Sequence, residues 1–137
     1  MKSKILVSSV FISLLLLVSS CETYHISTQS LLEQLANTKK EKKVNFIFAF
    51  PVFFPGVVTG NSLNQVRVLD KTEKEFIMPV THRTGVRITK KDGTRKTFYF
   101  DTLLVQDSII TGKNDHFIGI NIKPINLNNI EKIELQE

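Results

Sequence analysis

The stretch VRITKKDGTRKTFYF, residues 86–100, indicates the fold class of this chain. Val86 and Ile88 alternate with polar residues, a Lys-Asp-Gly turn follows, and two phenylalanines alternate with Tyr99 in the second half. A two-residue loop would place the phenylalanines opposite the aliphatic pair, because a shift of one residue reverses every side chain. A three-residue loop that ends on Gly93 in the left-handed conformation pairs Val86 with Phe98 and brings the apolar sets together. We therefore expect the second hairpin.

Short apolar segments separated by turn residues continue on both sides of this hairpin. The expected strands are Val66–Val68, Phe76–Val80, Leu103–Gln106, Ile109–Gly112, Ile118–Ile122 and Ile133–Leu135, with one helical turn at Leu127–Ile130. This density of short strands predicts a mainly β domain, a small antiparallel barrel or sandwich. The order of segments in the second half resembles SH3-like or Sm-like small barrels.

One short helix is expected before the strands. Ser30 with Glu33 is typical of a capping box, and the leucines that follow share one helical face. The preceding polar segment, 22–30, indicates a tether. The predicted division is therefore a tether with a short helix over 21–43 and a single β domain over 44–137.

A phenylalanine-rich segment, residues 45–58, holds half of the ten phenylalanines. Its first part is apolar on both strand faces, and Pro51 and Pro55 exclude one long central strand. The segment predicts a core strand, a bend and a second short strand at 57–58. The alternative is an exposed loop on which Phe53 and Phe54 contact lipid, a ligand or a partner.

The first twenty residues have the three parts of an export signal. Lys2 and Lys4 precede an apolar stretch from Ile5 to Val18, and two serines follow it. The apolar stretch falls short of the roughly 20 residues that span a bilayer. We therefore expect residues 1–20 to be a removable signal peptide.

At the end of this signal, Val18-Ser19-Ser20-Cys21 resembles the lipobox of bacterial lipoproteins, and the chain is similar to small envelope lipoproteins of the Bacteroidetes. The resemblance implies that Cys21 carries diacylglycerol, that cleavage follows Ser20, and that the new amino group receives a further acyl chain such as palmitate. Two or three acyl chains give stable attachment to the lipid bilayer. Glu22, in place of the aspartate of an inner-membrane retention signal, favours the outer membrane.

Charge and composition exclude several classes of function. The 18 basic residues less Lys2 and Lys4 leave 16 against 13 acidic ones, a net charge of +3, which is too mild for a nucleic-acid-binding protein. The three histidines, His25, His82 and His116, are widely spaced, and the single cysteine excludes an intramolecular disulfide. No phosphate loop or HExxH pair occurs. We expect no catalytic residues, no metal site and no cofactor.

Two tripeptides resemble the Asp-Ser/Thr-apolar acceptor for O-glycosylation in the Bacteroidetes. These are Asp101-Thr102-Leu103 and Asp107-Ser108-Ile109. The resemblance implies modification of Ser108 or Thr102. Ser108 lies at an expected turn and Thr102 within an expected strand, so Ser108 is the more accessible acceptor.

Three functional hypotheses follow. The first is a non-enzymatic accessory or interaction module that is anchored to the cell envelope and binds another envelope protein. The second is a carrier of a hydrophobic ligand, with Phe46–Phe54 lining a pocket; a deep apolar cavity would favour it. The third is a hydrolase around His82 or His116, which converging histidine and acidic side chains in a cleft would favour.

Overall fold

A computed structural model describes residues 22–49, 52–116 and 120–137, and over 41–49 and 52–58 it describes the backbone alone. The helix is α1 (Thr28–Ala36), and short 3-10 turns span Phe100–Thr102 and Leu127–Asn129. The strands are β1 (Thr23–Ile26), β2 (Lys40–Ala49), β3 (Val52–Asn61), β4 (Gln65–Leu69), β5 (Glu75–Pro79), β6 (Gly85–Lys90), β7 (Arg95–Tyr99), β8 (Leu104–Gln106), β9 (Ile109–Thr111), β10 (Ile125–Asn126) and β11 (Ile130–Gln136).

The strands form antiparallel sheets. The largest has the order β5-β4-β1-β11-β6-β7, a second has the order β10-β9-β8, and β2 and β3 form a two-stranded sheet. Buried side chains from the two larger sheets and Leu31 of α1 join in one hydrophobic core. The predicted fold class is confirmed as mainly β and sandwich-like with one short helix. Within the described residues the large sheet stays open at β5 and β7 and does not close into a barrel.

The β6–β7 hairpin has the predicted register. Val86 pairs with Phe98, and both side chains are buried. Gly93 has φ +80°, and its N–H donates to the carbonyl of Lys90 at 2.8 Å. The three-residue loop is therefore confirmed, as the requirement that the apolar residues of both strands share one face predicted.

The β8–β9 hairpin is also confirmed. Its two turn residues, Asp107 and Ser108, have φ of 50° and 64°. Two consecutive residues with positive φ are typical of a type I′ turn, whose twist matches that of the flanking strands. The turn leaves the side chain of Ser108 exposed.

The first described strand corrects the predicted tether. β1 pairs with β11 over its whole length, from Thr23↔Gln136 to Ile26↔Ile133, and with β4 at His25↔Leu69. Tyr24 and Ile26 are buried because they point to the core face of the sheet, as period-two alternation requires. The tether over 22–30 and the domain boundary at residue 44 are therefore wrong, because the β domain includes Thr23.

The helix begins three residues earlier than predicted. Its N-cap is Ser27, whose hydroxyl accepts a hydrogen bond from the N–H of Ser30 at 3.1 Å. The chain leaves β1 at Ile26, so the first free helical N–H groups follow immediately and Ser27 satisfies one of them. Leu31 is fully buried and fixes α1 against the core.

The side chain of Gln34 extends the sheet where β1 ends. Its Nε2 donates to the carbonyl of Arg67 at 3.1 Å, and its Oε1 accepts from the N–H of Arg67 at 2.7 Å. A primary amide offers the same donor and acceptor as a peptide group. Gln34 therefore pairs with β4 beyond the end of β1 and joins the helix to the sheet.

The phenylalanine-rich segment forms a longer hairpin than predicted. β2 and β3 pair over ten positions, from Lys40↔Asn61 to Ala49↔Val52, so the short strand expected at 57–58 extends much further. Pro55 lies inside β3 opposite Phe46. A two-stranded sheet tolerates proline because each strand has an open edge that needs no N–H donor.

The base of this hairpin is fixed to the first 3-10 turn. Asn61 is buried, and its Nδ2 donates to the carbonyls of Phe100 at 2.7 Å and Leu103 at 3.0 Å. Gly60 packs so closely that a Cβ at this position would lie 1.8 Å from the carbonyl oxygen of Asp101. Asn61 and Gly60 therefore determine where β3 leaves the core.

The strand expected at 118–122 is not formed over its described part. Asn121 makes an isolated bridge with Lys113, Ile120 is 54% exposed and Ile122 is buried. Ile118 lies outside the described residues. The expected helical turn and final strand are confirmed as the second 3-10 turn and β11.

We predict that Gly93→Val lowers the free energy of unfolding by more than about 1 kcal/mol, because a β-branched residue is disfavoured at positive φ. A Cβ at Gly93 would meet nothing within 4 Å, so the cost comes from the backbone alone. Gly93→Asn is the control, since asparagine tolerates this conformation. Urea unfolding measures both variants, and equal stability would contradict the assigned loop.

Candidate functional site

The predicted lipidation site, Cys21, lies outside the described residues. The structure does describe the segment that follows it. Thr23, two positions later, is already paired with Gln136 in β11. Any group on Cys21 is therefore only two residues away from the beginning of β1, a central strand of the large sheet.

The predicted hydrophobic contact residues, Phe53 and Phe54, lie in β3 opposite Phe48 and Ile47. Their side-chain exposure lies outside what the structure describes. Other large apolar side chains are exposed, a feature that the strand pattern did not indicate. They are Leu69 at 39%, Phe76 at 45%, Ile77 at 55%, Ile109 at 38% and Ile120 at 54%.

Phe76 belongs to an aromatic pair at one end of the large sheet. Its ring stacks on that of Tyr24, with centroids 5.2 Å apart and planes 9° from parallel. The pair borders an open cleft of about 310 Å³ that Glu22, Asp70 and Lys71 also line. This cleft could not be predicted from the sequence, because residues 23–26 were not expected to form a strand.

Two further clefts lie beside α1. One, of about 190 Å³, is lined by residues of β1, β4 and the start of the helix, among them His25 and Arg67. The other, of about 290 Å³, lies between the helix and β8 and includes Leu35 and Leu104. All three clefts are open to solvent and have both polar and apolar walls. None of the three is the enclosed apolar cavity that a hydrophobic-ligand carrier requires.

His116 forms a polar contact that the sequence did not predict. Its Nε2 lies 2.9 and 3.1 Å from the two carboxylate oxygens of Asp101, and the two side chains are only 11% and 8% exposed. The ring of Tyr99 lies over the imidazole, with centroids 4.1 Å apart. Asp101 and Tyr99 therefore hold the imidazole of His116 against the sheet.

Thr102, next to this pair, has a structural role. Its hydroxyl donates to the carbonyl of Tyr99 at 2.7 Å and accepts from the N–H of Lys113 at 2.8 Å. It lies in the 3-10 turn rather than in the predicted strand, and it is 1% exposed. Thr102 and the Asp101–His116 pair therefore fasten the 3-10 turn to the segment at 113–116.

The other two histidines lie elsewhere. His82 is exposed in the turn that precedes β6. His25 lies in β1, and its buried Nδ1 has no hydrogen-bond partner among the residues that the structure describes. The same residues contain no group of three or more histidine, cysteine, aspartate or glutamate side chains that could hold a metal ion.

An ionic cluster crosses the outer face of the large sheet. Glu134 lies 2.8 Å from both the Nε of Arg87 and the Nζ of Lys132. The hydrogen bond from Arg87, with support from Lys132, lowers the pKa of Glu134 to about 2. The carboxylate therefore stays charged at neutral pH and cross-links β11 to β6, which is a structural rather than a chemical role.

Comparison with known proteins provides no family assignment. No protein-family model matches the chain, and neither a curated protein nor a solved structure shows significant similarity to it. Within 22–49, 52–116 and 120–137, no helix combines the length and apolarity needed to cross a membrane.

For the two predicted glycosylation sites, we expect modification at Ser108 and none at Thr102. Ser108 is exposed at the apex of a hairpin, whereas the hydroxyl of Thr102 is buried and bonded. Mass spectrometry of peptides from envelope-purified protein should show added hexose on the peptide with Ser108. The variant Ser108→Asn, which suits φ 64°, should lose this mass. Unmodified Ser108, or sugar on Thr102, would refute the assignment.

Proposed function

We propose that the chain is the precursor of a bacterial envelope lipoprotein whose mature β domain is attached to the bilayer through acylated Cys21. The observation that carries this proposal is the sequence Val18-Ser19-Ser20-Cys21 at the end of an export-type signal. The cysteine is the only one in the chain and occupies the motif position. Glu22 favours the outer membrane as the final location.

The domain serves, in this proposal, as a non-enzymatic interaction module that binds another envelope protein. Exposed Phe76 and Ile77 on the edge strand β5 support this role, because an edge strand with apolar side chains can accept a further strand or an apolar surface. The Asp101–His116 pair does not favour catalysis, since Asp101 is buried, His116 is largely covered, and the pair fastens two backbone segments together.

A hydrophobic-ligand carrier is the second candidate. It depends on the segment Phe46–Phe54, whose described residues, 46–49 and 52–54, pair within the β2–β3 hairpin. Apolar residues occupy most of these paired positions, including Phe48↔Phe53 and Ile47↔Phe54. A ligand-binding role would require the two strands to enclose a cavity with another surface.

The anchor is tested with Cys21→Ser in the full-length precursor. Serine cannot form the thioether, so the variant should remain uncleaved and gain no acyl mass. Intact mass spectrometry of wild type should show loss of residues 1–20 and the added mass of two or three acyl chains. Glu22→Gln is the matched control and should be processed like wild type. A mature wild-type protein without lipid would refute the proposed anchor.

The phenylalanine-rich hairpin is tested with Phe53→Ala and Phe54→Ala. If these side chains form a contact surface, both variants should keep the wild-type Tm and lose binding, either to liposomes when the domain lacks Cys21 or to a partner. Phe98→Ala is the control for a core position, since Phe98 is 3% exposed, and it should cost roughly 3–5 kcal/mol. Destabilisation of the Phe53 and Phe54 variants to the same extent would show that they belong to a core.

A further inference from the structure

We infer that the mature lipoprotein rests on the bilayer through one defined end of its large sheet, the end at which β1 begins, and that this surface contacts zwitterionic phospholipid headgroups. The inference rests on the proposed lipid on Cys21. It adds a fixed orientation of the domain, which the lipobox alone does not imply.

The connection between lipid and sheet is too short to act as a flexible tether. Thr23 is two residues from Cys21, so their Cα atoms lie at most about 7 Å apart. Thr23 pairs with Gln136, and the next residue, Tyr24, is buried opposite Leu135. A lipid on Cys21 is therefore held close to the end at which the central strand β1 begins, and the domain cannot turn its far end to the membrane.

The strand register identifies the residues at this end. Thr23 lies beside Gln136, and Gln136 lies beside Gly85 of β6. On the other side, β4 runs through Leu69, opposite His25, into the turn 70–74. We call Glu22, the turn 70–74 and residues 136–137 the anchor end. Its cleft brings Glu22 and Thr23 together with Lys71, Thr72 and Phe76 on one surface.

The chemistry of the anchor end suits the headgroup layer of a zwitterionic bilayer. Phe76 is 45% exposed, and phenylalanine is among the apolar side chains that surface-bound proteins bury at the boundary between headgroups and acyl chains. Carboxylates outnumber basic groups there, since the acidic residues are Glu22, Asp70, Glu73 and Glu137 and the basic ones are Lys71, Lys74 and, in the turn before Gly85, Arg83. A hydrogen bond from Thr72 lowers the pKa of Asp70, which therefore stays charged. These carboxylates complement the outward cationic groups of zwitterionic lipids.

The opposite end of the sheet is predominantly positive. The β6–β7 turn carries Lys90, Lys91, Arg95 and Lys96 against Asp92. On an anionic surface each cation would contribute about 1 kcal/mol, so electrostatics alone would bring this basic end to the membrane. It lies roughly 20 Å from the anchor end, the length of a six-residue strand such as β6. The short connection to Cys21 excludes that arrangement.

The orientation is tested by site-directed fluorescence quenching on the lipid-modified protein. Because thioether formation consumes its only thiol, one introduced cysteine takes a maleimide fluorophore selectively. Lys71→Cys places the probe at the anchor end, and Lys91→Cys is a matched control in an exposed turn at the opposite end. Each labelled protein is reconstituted into phosphatidylcholine vesicles with and without a lipid that carries a nitroxide on its headgroup.

We expect the nitroxide lipid to quench the probe at position 71 several-fold more strongly than the probe at position 91. Equal quenching, stronger quenching at position 91 or no quenching at either position would overturn the orientation. The intact mass of each variant is measured first. An absence of acyl mass refutes the proposed anchor itself, whereas acyl mass with the wrong quenching pattern refutes only the orientation.

Discussion

β1 has only four residues, yet the large sheet is continuous because β1 lies between β4 and β11. Without it, β4–β5 and β11–β6–β7 would share no ladder of backbone hydrogen bonds. The strand also contributes two buried side chains, Tyr24 and Ile26, each of which stabilises the fold by roughly 1.5–3 kcal/mol. Domains of this size have a total stability of about 5–15 kcal/mol, so the fold depends strongly on these few residues.

A second constraint lies where the two sheets meet. The 3-10 turn at Phe100–Thr102 is contacted from three directions, by the amide of Asn61, by the N–H of Lys113 through Thr102, and by His116 through Asp101. A buried polar group without a partner would cost about 1–3 kcal/mol, so the loss of any one of these contacts would destabilise the turn. The same turn therefore fixes both the departure of the β2–β3 hairpin and the path of residues 113–116.

The sequence predicted local structure well where two neighbouring strands had to place their apolar residues on the same face. Residues 86–100 contain two alternating strands and a turn, and only one loop length places their apolar residues on one face. β1 could not be recognised in this way, because two apolar residues in a four-residue segment are a weak pattern and its partners lie more than forty residues away. The alternation of Ile118, Ile120 and Ile122 was equally regular, but the strand that it predicted is not formed over the described residues 120–122, which make only the bridge at Asn121.

The candidate site residues differ in the same way, between those in a local motif and those that contact distant residues. The lipidation of Cys21 was predicted from a contiguous motif of four adjacent residues, and it stays a prediction. The pairing of His116 with Asp101, and the stacking of Phe76 on Tyr24, join residues that are distant in sequence, and no local pattern indicates them. Distant contacts of this kind are set by the order of strands in the sheet, which hydrophobic alternation does not specify.

The position of β1 also determines which edge of the sheet can serve as an interaction surface. Within the described residues, β5 and β7 are the edge strands of the large sheet, and at the end of β7 the N–H of Tyr99 donates to the carbonyl of Lys113. On β7, Arg95 and Lys96 oppose the approach of another strand, as charges commonly do on edge strands. On β5, Glu75 and Pro79 protect only the two ends, and the exposed Phe76 and Ile77 lie between them. β5 is therefore the less protected edge. It is also the edge strand nearer to β1 in the strand order, so the residues that suit a partner lie close to those that the short connection to Cys21 would hold at the membrane.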